Sequence, residues 1–194
     1  MVLRSPMHLS LGRRLIAAAL LSLCISQPTL SQVTPSESLL KAFTLLEAQE
    51  YEQARPLLEA EVRAGDAVAA FNLGLMAQAG LGMDVDLIEA ADLFERAQTL
   101  GLPQASFSLA MMLLDGSAPE GRDYVRAREL MFEAADAGYS PAFSVLSMLD
   151  LSGAAGTADL NEAHKWACLA GQTGQELAFA ELISKRLSED QRQC

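Results

Sequence analysis

Residues 66–101 read DAVAAFNLGLMAQAGLGMDVDLIEAADLFERAQTLG, and the same skeleton returns twice more further along the chain. Gly65, Gly101, Gly138 and Gly174 stand 36, 37 and 36 residues apart. Each closes one pattern: an alanine, a large apolar residue three positions on, and the glycine eight beyond that. The sets are Ala54, Leu57 and Gly65; Ala90, Leu93 and Gly101; Ala127, Leu130 and Gly138; Ala163, Trp166 and Gly174. A period of roughly 20–50 residues marks a tandem repeat, whose units bury their apolar faces only by stacking on one another. Function in such a chain belongs to a stacked surface before it belongs to a closed cleft.

Other columns of the repeat predict a helix pair in each unit. Four residues after a ladder glycine comes Ala69, Ala105, Ala142 or Ala178, and four further comes Leu73, Leu109, Leu146 or Leu182. A spacing of four puts both on one helical face, where the alanine admits a neighbouring helix and the leucine fills the space beside it. Pro103 and Ser140-Pro141 mark helix starts, because proline fits a first turn where its missing N–H is not needed. These first helices end near Gly80, Gly116 and Gly153. The second helices begin at Asp86, Asp123 and Asp159, each four residues before a pattern alanine. Two of these aspartates have a glutamate three residues on, Glu89 and Glu162, the spacing of a capping box. Ser36 to Gln49 supplies a first helix at the N-terminal end, and Gln175 to about Leu187 one more helix before the polar run from Ser188.

In these columns the chain resembles the Sel1-like repeat, a relative of the tetratricopeptide repeat. Residues 66–101 carry Ala69, Leu73, Gly74, Gly80, Gly82, Asp86, Ala90 and Gly101; residues 102–138 carry Ala105, Leu109, Gly116, Asp123, Ala127 and Gly138; residues 139–174 carry Ala142, Leu146, Gly153, Asp159, Ala163, Trp166 and Gly174. Where the family usually has tyrosine on the first helix, this chain has Ala77, Leu113 and Asp150. The resemblance implies an all-α fold, a right-handed α-solenoid of stacked antiparallel helix pairs. Its organisation is a signal peptide over 1–31, a helix pair over 32–65, repeats over 66–101, 102–138 and 139–174, and a capping helix and tail over 175–194. Composition agrees: 51% of residues are apolar and only 6% aromatic, a helical rather than a β-sandwich profile.

Residues 1–31 have the form of an export signal. Arg4, Arg13 and Arg14 precede the apolar run Leu15 to Ile25, and Thr29-Leu30-Ser31 places small residues before a cut at Gln32. The run is far short of the roughly 20 residues a spanning helix needs. Cys24 raises lipidation as an alternative, against which stands Leu23, where a small residue is expected. Export predicts a periplasmic or secreted protein. Removing 1–31 takes away three of the 14 basic residues and none of the 25 acids, so the net charge goes from −11 to −14. Nucleic acid and anionic lipid, which require clustered Lys and Arg, are poor partners for it. Cys168 and Cys194 are the thiols left after export, and they can pair only if the C-terminal tail folds back.

Catalytic signals are weak. His164 is the one histidine beyond the leader, no His-Glu-x-x-His or Cys-x-x-Cys spacing offers zinc ligands, and His164 on a repeat helix reads as structural. Asp84-Val85-Asp86 lacks the rest of a calcium loop, with its central glycine and terminal glutamate. Gly138-Tyr139-Ser140 lacks the second glycine of a nucleophile elbow, so Ser140 reads as an N-cap. We therefore expect no catalytic residues, no metal and no cofactor.

The inner face remains. In tetratricopeptide-like stacks the first helices line the concave side, and the resemblance places Phe71, Leu75, Gln78, Phe107, Met111, Leu114, Ser144 and Met148 on it. Phenylalanine and methionine there suit the apolar face of a peptide or helix. The leading expectation is a non-enzymatic adaptor or regulator of the bacterial envelope that binds a partner protein. The alternatives are a small-ligand receptor or enzyme using the same groove, and a self-associating scaffold.

Overall fold

The computed structural model describes residues 35–175 and 180–188. The export segment, Cys24, Ala178, Cys194 and the tail from residue 189 lie outside the described residues. The described residues form α-helices joined by short turns, with no strand among them. The helices are α1 (Glu37–Glu47), α2 (Tyr51–Ala64), α3 (Ala67–Ala79), α4 (Leu87–Thr99), α5 (Pro103–Asp115), α6 (Tyr124–Asp136), α7 (Pro141–Ser152), α8 (Leu160–Gln172) and α9 (Ala180–Arg186). The chain divides into two compact units, with the boundary between Leu93 and Phe94 inside α4.

In the N-terminal unit, α1 packs on α2 and α2 on α3. Ser36 caps α1 by accepting from the Leu39 N–H at 3.0 Å, and its own hydroxyl donates to Glu61 at 2.6 Å, which ties α1 to α2. Asp66 caps α3 through the Ala69 N–H at 2.7 Å. Gly82 sits in the turn after α3 with φ 67, and a Cβ there would lie 2.7 Å from the Tyr51 Cβ and 2.8 Å from the Glu52 nitrogen. Only glycine lets this turn rest against the start of α2.

In the C-terminal unit, α5 packs on α6, α6 on α7, α7 on α8, and α8 on α9. The ladder glycines that close the second helices all take positive φ, from 81 at Gly174 to 89 at Gly65, which is the left-handed conformation of a helix terminus. The three aspartates are caps. Asp123 Oδ1 accepts from the N–H groups of Val125 and Arg126 at 3.0 Å each, Asp159 Oδ1 from Asn161 and Glu162 at 2.9 and 3.1 Å, and in the N-terminal unit Asp86 Oδ1 from Ile88 and Glu89 at 3.0 and 2.9 Å.

The reciprocal half of the capping box is replaced by another bond. The Asp86 N–H donates to the Ala77 carbonyl at 3.0 Å, Asp123 to Leu113 at 3.1 Å and Asp159 to Asp150 at 2.9 Å, so each second helix is tied through its cap to the end of the first. Glu162 turns instead to Lys165. Ser140 occupies the N-cap position of α7, but its side chain makes no capping bond; its carbonyl accepts from the Gln175 side chain at 2.8 Å. Gln175 lies outside any helix, and the described part of the last helix begins at Ala180.

Core columns match the expected faces. Ala69, Ala105 and Ala142 are wholly buried, and Leu73, Leu109 and Leu146 are buried beside them. On the second helices, Leu93 and Leu130 are buried, yet the residue after each is deeper: Phe94 and Met131 have no exposed surface, and Leu58 takes the same place on α2, where Leu57 is only half-buried. In α8 this pair is inverted, with a large Trp166 before a small, buried Ala167. A core filled at roughly constant volume tolerates such exchange between adjacent columns.

Candidate functional site

The first helices α3, α5 and α7 owe their shape to small and apolar residues, and they contain almost no charge. Helix α3 has none, α5 has Asp115 and α7 has Asp150. The second helices hold the ionic residues: Glu89, Asp92, Glu95 and Arg96 on α4, and Arg126, Arg128, Glu129, Glu133 and Asp136 on α6. A helix surface facing only water gains solubility from charge. Its near absence from α3, α5 and α7, even at partly exposed positions, distinguishes these helices from α4 and α6. This segregation is legible in the sequence once helix bounds are known.

The predicted face residues divide by exposure. In the N-terminal unit, Phe71 is buried in the core, while Leu75 and Gln78 on the same helix are partly exposed. In the C-terminal unit, Met111 is 39% and Met148 52% exposed, and Phe107, Leu114 and Ser144 are partly exposed. Phe107 and Met111 stand one helical turn apart on α5, as do Ser144 and Met148 on α7. The Phe107 ring meets Tyr139 edge-on with centroids 5.3 Å apart. That contact joins the face of α5 to the turn leading into α7. Burial raises the Tyr139 phenol above its ordinary pKa of 10.0, so the ring is neutral at physiological pH and offers an apolar edge.

Polar groups in the C-terminal unit are engaged in structure. Asp150 on α7 is buried and accepts from Arg128 on α6 in a fork, Nε to Oδ1 at 2.6 Å and Nη2 to Oδ2 at 3.2 Å. The Arg128 pKa is raised, chiefly by that hydrogen bond. Asp150 stands in the column where the resemblance leads one to expect tyrosine, so an ion pair between α6 and α7 replaces a phenol there. Ser147 Oγ donates to the Ala163 carbonyl at 2.7 Å inside the α7–α8 interface. His164 is buried, with Nε2 3.6 Å from Cys168 Sγ. Cys168 is disulfide-bonded, and its partner lies outside the described residues. Among the described residues no three His, Cys, Asp or Glu side chains group as metal ligands would, and no helix is long and apolar enough to cross a membrane.

Comparison with known proteins adds to this geometry. The Sel1 repeat pattern matches residues 67–102, 103–139 and 147–174, more than half of the chain. A Sel1 repeat protein from Oxalobacter formigenes aligns over 77% of this chain and 72% of its own, at 18% identity and a TM-score of 0.59. A protective antigen present in uropathogenic Escherichia coli strains, displaying an SLR fold, aligns over 77% of this chain but 32% of its own, at 23% identity and a TM-score of 0.68. This chain thus spans less than half the length of the E. coli antigen. At these identities both structures bear on the fold alone. No curated protein matches the chain.

Proposed function

The chain belongs to the Sel1 repeat family, whose members are typically non-catalytic scaffolds for protein–protein interaction, and on that premise we propose that its first helices bind a peptide or helix of a partner protein in the bacterial envelope. The observation that carries this reading is the combination on α5 and α7 of exposed methionines with an almost complete lack of charge. Methionine is flexible and polarisable, so it repacks around apolar side chains of different shapes. In the N-terminal unit Leu75 and Gln78 lie on the exposed side of α3, and in the C-terminal unit Phe107, Met111, Leu114, Ser144 and Met148 lie on that of α5 and α7. Phe71 supports α3 from inside the core. Catalysis is no part of this reading, since Asp86, Asp123 and Asp159 are engaged as caps and Asp150 in an ion pair.

Envelope placement rests on the leader-like residues 1–31. Intact-mass measurement of the exported protein is expected to give a chain beginning at or near Gln32; a secreted fraction still carrying 1–31 would refute export. The docking face is tested by Met111→Glu and Met148→Glu, which alter exposed positions and leave the core alone. Partner binding is expected to fall by about tenfold or more for the double variant, at unchanged helicity and melting temperature. Undiminished binding by the folded double variant would remove the proposed face.

A further inference from the structure

Helix α6 carries a second surface, apart from the first-helix faces. Val125, Glu129, Phe132, Glu133 and Asp136 follow one another at helical spacing, and all are exposed, Val125 at 55% and Phe132 at 48%. The two arginines of α6 are engaged elsewhere. Arg126 pairs with Glu95 and Glu120 at 3.1 and 3.2 Å, and Arg128 forks onto the buried Asp150. The outward stripe therefore combines two apolar side chains with three carboxylates, and the partly exposed Arg126 and Arg128 that flank it have their charges met by Glu95, Glu120 and Asp150. Such a stripe is complementary to an apolar strip edged with positive charge.

Phe132 is also held in place. Its ring meets Trp166 edge-on at 5.9 Å, and Trp166 stacks on Phe143 at 6.0 Å, so one exposed ring on α6 is braced from α8 and α7. Gln98 similarly donates to Glu133 at 2.9 Å. A braced aromatic side chain loses little rotamer freedom when a partner covers it, which is why such residues often dominate binding energy. A second copy of this chain would bring the same sign of charge, with 25 acids against 14 basic residues, and anionic lipid or nucleic acid would meet the same repulsion.

We propose that the α6 stripe docks an amphipathic helix of a partner protein whose apolar strip, flanked by Lys and Arg, covers Phe132 and Val125 while its cations meet Glu129, Glu133 and Asp136. This surface stands or falls independently of the α5 and α7 faces. The probe is a labelled helical peptide of about 18 residues, long enough to be partly helical in water, with leucines on one face and lysines beside them; a control carries glutamate in place of every lysine. Anisotropy with the full chain is expected to show binding of the lysine peptide alone. Phe132→Glu and the double change Glu129→Lys/Glu133→Lys are each expected to weaken it about tenfold or more.

Phe132→Glu adds negative charge, so attraction by charge alone would hold or tighten binding, and either result overturns the proposal. Equal binding of the two peptides, or none by the lysine peptide, does so too. Loss of binding with Met148→Glu but not Phe132→Glu would place the peptide on the first-helix face, overturning this inference while leaving that reading intact. Should Phe132→Glu fail to fold by circular dichroism, Val125→Glu at the other exposed apolar position replaces it: weakened binding supports the docking, and unchanged or tighter binding overturns it.

Discussion

At the scale of single residues, aspartate does three different jobs on one repeat frame, and its surroundings decide which. Asp159 is exposed at the start of α8 and satisfies two N–H groups that have no intrahelical acceptor. Asp115, at the end of α5, turns its carboxylate to the Ser117 N–H at 2.8 Å. Asp150 is buried, and Arg128 meets its carboxylate in a fork of two charge-assisted hydrogen bonds. Replacing Arg128 by methionine keeps most of the side-chain volume and leaves that carboxylate unpaired. We expect a loss of about 3 kcal/mol in chemical denaturation, the low end for broken buried pairs because the arginine end is partly exposed. Arg128→Met/Asp150→Leu should recover most of the loss. If the double variant is no more stable than the single one, the pair is not what holds α6 to α7.

At the scale of elements, the recurring bond from each cap N–H to a first-helix carbonyl fixes how the two helices of a unit meet, while apolar columns supply the energy. Burying a leucine such as Leu109 or Leu146 is worth about 1.5–3 kcal/mol, against about 1 kcal/mol net for one hydrogen bond. The junction of α5 with the turn before α7 has a pH dependence that can be read. Tyr139 packs on Phe107, and burial raises its pKa in the folded state. The unfolded chain therefore loses this proton first as pH rises. The contribution is intact below pH 10.0, the ordinary phenol value, and declines as pH climbs through the raised folded value. Thermal melts of Tyr139→Phe should lose less stability above that pH than those of the parent chain. An identical alkaline decline in both would show that Tyr139 is not its source.

At the scale of the whole molecule, charge is distributed by element. Helices α3, α5 and α7 carry almost no charge, α4 and α6 carry acids, and the two arginines of α6, both partly exposed, are paired with carboxylates. The disulfide at Cys168 is a second property of this scale, because its partner comes from outside the described residues. Alkylation of the oxidised, folded chain is expected to leave Cys168 unmodified until a reductant is added, with peptide mapping then identifying the partner. Labelling of Cys168 without reduction would contradict the bond.

The repeat period, the all-helical class, the caps at Asp86, Asp123 and Asp159 and the Ala–Leu core columns were all determined by the sequence alone. These depend on interactions within a turn or two of helix, or on small side chains recurring in register, and short-range chemistry of that kind is written in spacing. Tertiary structure decided the rest. Phe71 and Phe107 share one column, yet the first is buried and the second partly exposed. Phe94 and Met131 lie deeper than the residues the pattern singles out, and Asp150 becomes half of an ion pair in place of an aromatic contact. Exposure and pairing are set by what neighbouring helices bring across the interface, and a column position carries no record of that.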